Sequence, residues 1–224
     1  MLTIVYILLA GVIGYLCGAT PFGFIYVKLV KGIDLRQEGS GRTGGTNSMR
    51  AAGVGVGVLT ALSDVLKGFV AIWLSNLLFG NALGDLFPWA VVLIAAMCVI
   101  GHNWSVFLGW KGGAGTGPNV GWATAIWWPM LPIGAFVMVG MLLVIGMASV
   151  ASMSMALVIP ITFAVLYITG PEMFQTTPAY IIAGLLTSAI VAWALRPNFK
   201  RLIEGNERVV GPRAKRMKRK QQAQ

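Results

Sequence analysis

The sequence predicts an all-α integral membrane protein, and three observations carry that expectation. Hydrophobic residues make up 57% of the chain and charged residues only 11%. A soluble domain carries about twice that charged share. The apolar residues come in long runs rather than alternating segments of ~10 residues, which argues for helices and against a membrane β-barrel. The basic residues fall in a few groups, and residues 68–110 and 112–195 hold no Lys or Arg at all. Such groups mark the cytoplasmic side of a membrane protein.

The elements follow in order. The first apolar run has no Lys or Arg before it, and the first basic residue is Lys28. It therefore reads as a retained span over 2–27 rather than a secretory signal, with its positive flank on the C-terminal side. Residues 28–50, 102–117 and 196–224 carry the basic groups and are expected inside. The polar breaks "GNALGDLFP" (80–88) and "GPEMFQTTP" (170–178) carry Asp85 and Glu172 but no base, and are expected outside. Segments 52–79 and 86–101 then form the second and third spans. The stretch 118–169 must cross an odd number of times. It is too long for one crossing, since ~20 residues suffice, so three short ones are expected. "WWPMLP" (127–132) supplies an outer turn and "GMASVASMS" (146–154) an inner one. The fourth helix, about 118–128, is too short to span alone and starts beside an embedded loop. The last span is about 179–195. The expectation is seven transmembrane helices, one of them short, with the N-terminus outside and the C-terminus cytoplasmic. Residues 1–195 form a single membrane domain with motif loops at 39–50 and 101–118. A third cytoplasmic motif follows at 196–207, then a basic tail at 208–224.

Composition also limits the chemistry. One histidine, His102, and two separated cysteines, Cys17 and Cys98, cannot build a metal cluster. Both cysteines read as thiols packed in apolar runs. The tail "RVVGPRAKRMKRKQQAQ" reads either as attraction to anionic lipid headgroups or as a topology-setting tail. No aromatic residues are interleaved with its charges, which argues against nucleic acid.

Three polar segments stand out on the expected inner face: "GSGRTGGTNSMR" (39–50), "GHNWSVFLGWKGGAG" (101–115) and "RPNFKRLIEGNE" (196–207). Each mixes glycine, hydroxyl, amide and cationic groups. Glycines let consecutive backbone N–H groups turn toward an anion, and a following helix N-terminus adds its dipole. Ser40, Thr43, Thr46 and Asn47 offer neutral donors; Arg42, Arg50, Lys111 and Arg201 offer charge. Taken singly, each segment is also an ordinary glycine-rich turn. Three on one face point to phosphate. Asp64 and Lys67 add charge inside an apolar stretch at i,i+3 spacing, either as part of a site or as a pair that ties helices together.

Several reaction types find no support. No Gly-x-Ser-x-Gly elbow surrounds Ser40. The His-x4-Asp box of acyl-CoA acyltransferases is absent, since Phe107 stands where the aspartate belongs. A lipid phosphatase pattern needs a second histidine. What remains is a phosphate-handling site that need not supply a covalent nucleophile.

At these residues the chain resembles the acyl-phosphate:glycerol-3-phosphate acyltransferases of bacterial phospholipid synthesis, the PlsY family. "GATPFGFIYVKLVKGIDLRQEGSGRTGGTN" is similar to the family's first helix and first motif, which fall on Ser40, Gly41, Gly44, Thr46, Asn47 and Arg50. Asp64, Lys67 and Gly68 match its second helix. Gly101 and His102 through Lys111, Gly112 and Gly113 resemble its second motif. Asn198, Arg201, Leu202, Gly205 and Glu207 resemble the third. The resemblance implies that a fatty acyl group passes from acyl phosphate to the 1-hydroxyl of glycerol 3-phosphate at the cytoplasmic side of a bacterial cell membrane. No cofactor, acyl-CoA or acyl-carrier protein is required; membrane lipids are the other partners. It implies catalytic roles for Ser40, Arg50, His102, Lys111 and Asn198. It implies substrate binding by Gly41, Arg42, Gly44, Thr46, Asn47, Asp64, Lys67, Gly112, Gly113, Arg201 and Glu207. The proton acceptor is His102, a carboxylate or the substrate's own phosphate.

The chain departs from the family pattern in all three motifs. The second motif usually reads Lys-Gly-Gly-Lys; here Ala114 replaces its second lysine. The first usually has Asn and Ala where this chain has Arg42 and Gly45. The third usually has histidine at Leu195. Arg42 is expected to restore the charge lost at 114. A paralogue with another acceptor or little activity, and a non-enzymatic carrier of phosphate or lipid, are the competing readings. A carrier would be expected to show internal repeats, and none is evident.

Overall fold

The computed structural model describes residues 1–170, 176–211, 213, 214 and 216. Glu172 and most of the 208–224 tail fall outside the described residues. Among those described, the chain forms ten α-helices and no strand: α1 (Leu2–Ala19), α2 (Phe22–Lys31), α3 (Gly45–Ala52), α4 (Val54–Leu83), α5 (Phe87–Asn103), α6 (Thr116–Ile126), α7 (Met130–Val144), α8 (Ala148–Thr169), α9 (Pro178–Ala194) and α10 (Arg196–Ile203). The stretches Leu2–Lys31, Val54–Leu108 and Ala148–Thr169 are long and apolar enough to cross a membrane. The 62° bent pair α9–α10 is a fourth candidate, and α7 is a shorter apolar helix. Large apolar side chains such as Leu8, Leu62, Trp73, Leu77, Phe136 and Leu185 face outward, as a hydrocarbon surround requires.

The short fourth helix is present as α6. At 11 residues it rises ~16 Å, about half of a bilayer core. It sits inside the protein, packed on α4, α5, α7 and α8. In its lead-in, Ser105, Leu108, Gly113 and Gly115 are buried, while Val106, Phe107 and Trp110 are exposed.

Three expectations are corrected. The first span is not one helix over 2–27. Pro21 lacks an N–H and disfavours helical geometry at Thr20, so α1 stops at Ala19 and α2 starts at Phe22. The inner turn shrinks to Ile145–Met147, and most of "GMASVASMS" becomes the start of α8. The motif loops at 39–50 and 101–118 are not all loop, since α3 starts at Gly45, α5 runs to Asn103 and α6 starts at Thr116.

Packing relies on close backbone approach. A Cβ at Gly18 of α1 would overlap the Cys98 carbonyl of α5, and small residues are what allow such contacts between membrane helices. Cys98 is fully buried there, and both cysteines are free. Helix α8 carries Pro160 in its interior, which leaves the Ala156 carbonyl without its usual helical donor. The Ser188 hydroxyl of α9 donates to that carbonyl at 2.7 Å. The break in one helix thus becomes a tie to the next.

Candidate active site

The break at Pro21 creates the first fixed point. The end of α1 leaves carbonyls without helical donors. The Ser105 hydroxyl donates to Ala19 O at 2.6 Å, and Lys67 Nζ donates to Thr20 O at 3.0 Å. Lys67 also meets Asp64 Oδ1 at 2.8 Å and His102 Nδ1 at 2.7 Å. Three donors meet three acceptors, so the ammonium is saturated. All three side chains are buried. An ammonium cannot accept a hydrogen bond, so Nδ1 accepts and a neutral ring carries its proton on Nε2. That nitrogen faces Gly113, where a Cβ would overlap it. The His102 carbonyl also accepts from Gly113 N at 3.0 Å. His102 thus grips the glycine loop by both ring and backbone.

The first motif is organised by Asn47. Its Nδ2 donates to Glu38 O and Arg42 O, both at 2.9 Å, and its Oδ1 accepts from Ser40 N at 3.0 Å. Upstream, Asp34 caps a turn through Arg36 N at 2.9 Å and pairs with the Arg36 guanidinium at 2.6 Å. Those hydrogen bonds hold the Asp34 carboxyl down at about 2. Arg36 reaches on to Leu108 O at 3.2 Å, and Thr43 N donates to Gly112 O at 3.3 Å. These two bonds fasten the first motif to the second.

The third motif is organised by Glu207. Its Oε1 accepts from Ser149 Oγ and Asn198 Nδ2, each at 2.8 Å, and its Oε2 accepts from Arg201 Nε at 3.1 Å. Burial alone would raise the Glu207 carboxyl, but the bonds from Asn198, Ser149 and Arg201 outweigh it and lower it. A backbone bond from Val210 N to Gly146 O, 2.6 Å, holds the following segment on the α7–α8 turn.

Between these three blocks lies a cleft of about 220 Å³, lined by Arg42, Asn103, Trp104, Gly112, Gly113, Trp193, Ala194, Arg196 and Pro197. Arg42 bridges it. Its Nη2 donates to Ala194 O at 2.6 Å and to Asn198 Oδ1 at 2.7 Å. Its Nε and Nη1 have no partner among the described residues. Burial, and then the Arg201 charge, lowers the Arg42 guanidinium from its ordinary value. Burial and then Arg208 do the same to Arg50. Guanidinium groups keep their charge at neutral pH regardless. Burial is the larger cause of both shifts, and the neighbouring arginine charge adds to it; positive charge gathered in this way favours an anion. Lys111 is exposed and makes no hydrogen bond or ion pair among the described residues.

The sequence-selected residues therefore fall in distinct places. Arg42, Gly112 and Gly113 line the cleft, and Asn198 is one bond behind. Asn47, Asp64, Lys67, His102, Arg201 and Glu207 bond to other protein groups around it. Ser40, Gly41, Gly44 and Thr46 lie half-buried in the first motif and the start of α3, while Arg50 and Lys111 are exposed. Asn103, Trp104, Trp193, Arg196 and Ser149 were not singled out from the sequence. Asn103 could have been, because it is a polar residue closing an otherwise apolar helix beside the one histidine. Ala114 packs on the buried apolar cluster of Val99, Ala156, Val191 and Leu195. Two departures from the family pattern, positions 114 and 195, thus share one apolar contact beside the carbonyl that Arg42 binds.

This geometry can be set beside known proteins. A family model described as glycerol-3-phosphate acyltransferase matches residues 8–205. The chain belongs to the glycerol-3-phosphate acyltransferase family. A family member of that name from Parasynechococcus marenigrum is 36% identical over 204 residues, covering 90% of this chain and 89% of that one. One from Erythrobacter litoralis is 34% identical over 203 residues, covering 91% and 94%. The fold also matches a crystal structure of PlsY (YgiH), an integral membrane glycerol 3-phosphate acyltransferase, in its glycerol 3-phosphate form. The TM-score is 0.76 at 30% identity, over 92% of this chain and 96% of that one. The lysophosphatidic acid form of the same protein matches with a TM-score of 0.75 at 29% identity. The first two polar motifs of this acyltransferase-family chain and every residue lining the cleft lie within the matched span, while Glu207 of the third motif lies two residues beyond it.

Proposed function

We propose that this chain transfers a fatty acyl group from acyl phosphate to the 1-hydroxyl of glycerol 3-phosphate, releasing lysophosphatidic acid and phosphate. One observation carries this: three motifs far apart in sequence are bonded around a single cationic cleft, with Arg42 spanning the first and third. The PlsY forms with glycerol 3-phosphate and lysophosphatidic acid fit an acceptor and a product of this reaction. Two anionic substrates must meet, and unpaired guanidinium, lysine and loop amides offset their repulsion.

The acceptor oxygen attacks the acyl carbonyl carbon, and the bond to the phosphate oxygen breaks. Both nitrogens of His102 are turned to Lys67 and Gly113, so the proton passes to the departing phosphate. Lys111, Arg50, Ser40 and Arg42 bind phosphate oxygens. His102, Asp64 and Lys67 hold the glycine loop. Catalysis is then mainly positioning and charge stabilisation, because acyl phosphate already has a good leaving group. No acyl-CoA or acyl-carrier protein takes part.

The chain crosses a bacterial cell membrane seven times, by α1, α4, α5, α6, α7, α8 and α9, with the N-terminus outside and the cleft cytoplasmic. A cysteine at Asp85 should react with an impermeant thiol reagent on intact cells, and one at Lys111 should not. The reverse pattern would overturn this topology. Purified protein given acyl phosphate and glycerol 3-phosphate should release phosphate. The apolar packing of Ala114 beside Leu195 supports a second reading, in which the acceptor differs. Turnover with another polyol alone would favour it, and no turnover with any acceptor would rule out both.

A further inference from the structure

The α5 terminus holds a polar group that the proposed reaction leaves unused. Asn103, its last residue, is 4% exposed. Both Oδ1 and Nδ2 are buried without a hydrogen-bond partner among the described residues. An amide can make up to four hydrogen bonds, and leaving buried polar atoms unpaired is costly. Native structures rarely tolerate it without a reason. Other buried side chains around the cleft show the contrast. The Asn47 amide is bonded on both atoms, and so is the Glu207 carboxylate.

The surroundings indicate what the amide is for. Asn103 lines the same cleft as Arg42, Gly112 and Gly113. Its Oδ1 and Nδ2 lie 2.9 and 3.3 Å from where a Cβ on Gly115 would be. Gly115 is the N-cap residue of α6, an 11-residue helix with no side-chain cap. The amide therefore sits beside a helix N-terminus, which favours an anion through its free N–H groups and dipole. The preceding residue, His102, is fixed through Lys67 and Gly113, so the α5 end that carries Asn103 is well anchored.

We propose that Asn103 is a specificity-determining residue for a hydroxylated phosphomonoester. Nδ2 donates to a phosphate oxygen, while Oδ1 accepts from a neighbouring hydroxyl of the same molecule. An amide presents a donor and an acceptor side by side, and a polyol phosphate presents the complementary pair. Inorganic phosphate lacks the carbon-borne hydroxyl and can offer only a P–OH on the same phosphorus, which cannot reach out to the position of a neighbouring hydroxyl. The inference deepens the proposed function and rests on glycerol 3-phosphate being the molecule in the cleft.

The test is direct binding of glycerol 3-phosphate to the purified full chain in detergent, by titration calorimetry, with inorganic phosphate as the second probe. Asn103→Leu should weaken glycerol 3-phosphate binding by about tenfold to a hundredfold, as expected when a buried hydrogen-bonding group loses its partner. Inorganic phosphate should lose less. The thermal midpoint should stay level or rise, because Leu removes unpaired polar atoms from a buried position. Should the Leu variant fail to fold, Asn103→Asp keeps the shape and the acceptor but repels phosphate, and should weaken both probes. Unchanged affinity for glycerol 3-phosphate in a folded variant overturns the proposal, as does an equal loss for both probes with Leu. Wild-type binding without turnover would sink the transferase reading alone and still leave Asn103 tested. Absence of wild-type binding would sink both.

Discussion

Two layers of polar groups meet at this site, and they differ in how completely they are bonded. In the inner layer Lys67 spends three donors on Thr20, Asp64 and His102, Asn47 spends its amide on the first motif, and Glu207 collects Ser149, Asn198 and Arg201. In the second layer, among the described residues, Arg42 keeps Nε and Nη1 unbonded and the Asn103 amide is unpaired, both at the cleft, and the exposed Lys111 next to Gly112 has no partner. The physical lesson concerns where desolvation cost is met. A saturated group fixes shape, because breaking its bonds leaves a buried charge or dipole exposed to apolar surroundings. An unsaturated group gains most from a ligand, since it has no internal bond to give up.

The comparison can be broken or sharpened at specific residues. Lys111→Ala is expected to have the largest effect on chemistry, lowering kcat/KM for glycerol 3-phosphate by about a hundredfold to a thousandfold, the usual scale for losing a charge-stabilising donor. The thermal midpoint should not move, because the side chain bonds to no described protein group. A rate within threefold of wild type would remove Lys111 from the proposed phosphate-binding residues.

Lys67→Met is expected to act on stability instead. It leaves Asp64 buried without its cation and should cost ~3 kcal/mol of unfolding free energy. Adding Asp64→Leu should recover most of that stability, because an apolar pair carries no desolvation penalty. If the folded double variant loses turnover by more than a hundredfold, the pair contacts substrate and does not only support the loop.

Arg42→Asn stands between the layers and should give a smaller loss, about tenfold to a hundredfold in turnover. Part of it is phosphate contact and part is the lost bridge to Asn198. Adding Ala114→Lys should restore much of the rate. A double-mutant cycle decides: additivity within ~0.5 kcal/mol would mean that the two positions do not share one phosphate.

The sequence made the membrane class legible through its apolar runs, since the bilayer imposes a length of ~20 residues that the run lengths show directly. It also marked the three motifs, because glycine beside Arg, Lys and amide residues is rare in apolar chains. Span ends were legible at the short α6, where glycines precede the helix and "WWP" follows it. They were missed at Pro21, whose break lies inside one continuous apolar run, and where small polar residues such as Ser149 and Ser152 proved compatible with a buried helix.

What the sequence determined by itself was which residues carry polar chemistry and on which segments they lie. Only the tertiary structure decided which of them are spent. Asp64 and Lys67 read equally well as a site or as a strut until Thr20, at the α1–α2 break, and His102, on α5, arrive to complete the bonds of Lys67. Arg42 and Ala114 could be linked only by charge balance until the α9–α10 junction brought Ala194 and Asn198 to Arg42 and Leu195 to the cluster on which Ala114 packs. Asn103 looked like an ordinary helix end until the fold buried its amide without a partner among the described residues. Saturation depends on partners tens of residues away in the chain, and no local pattern encodes the bonds that folding across helices will supply.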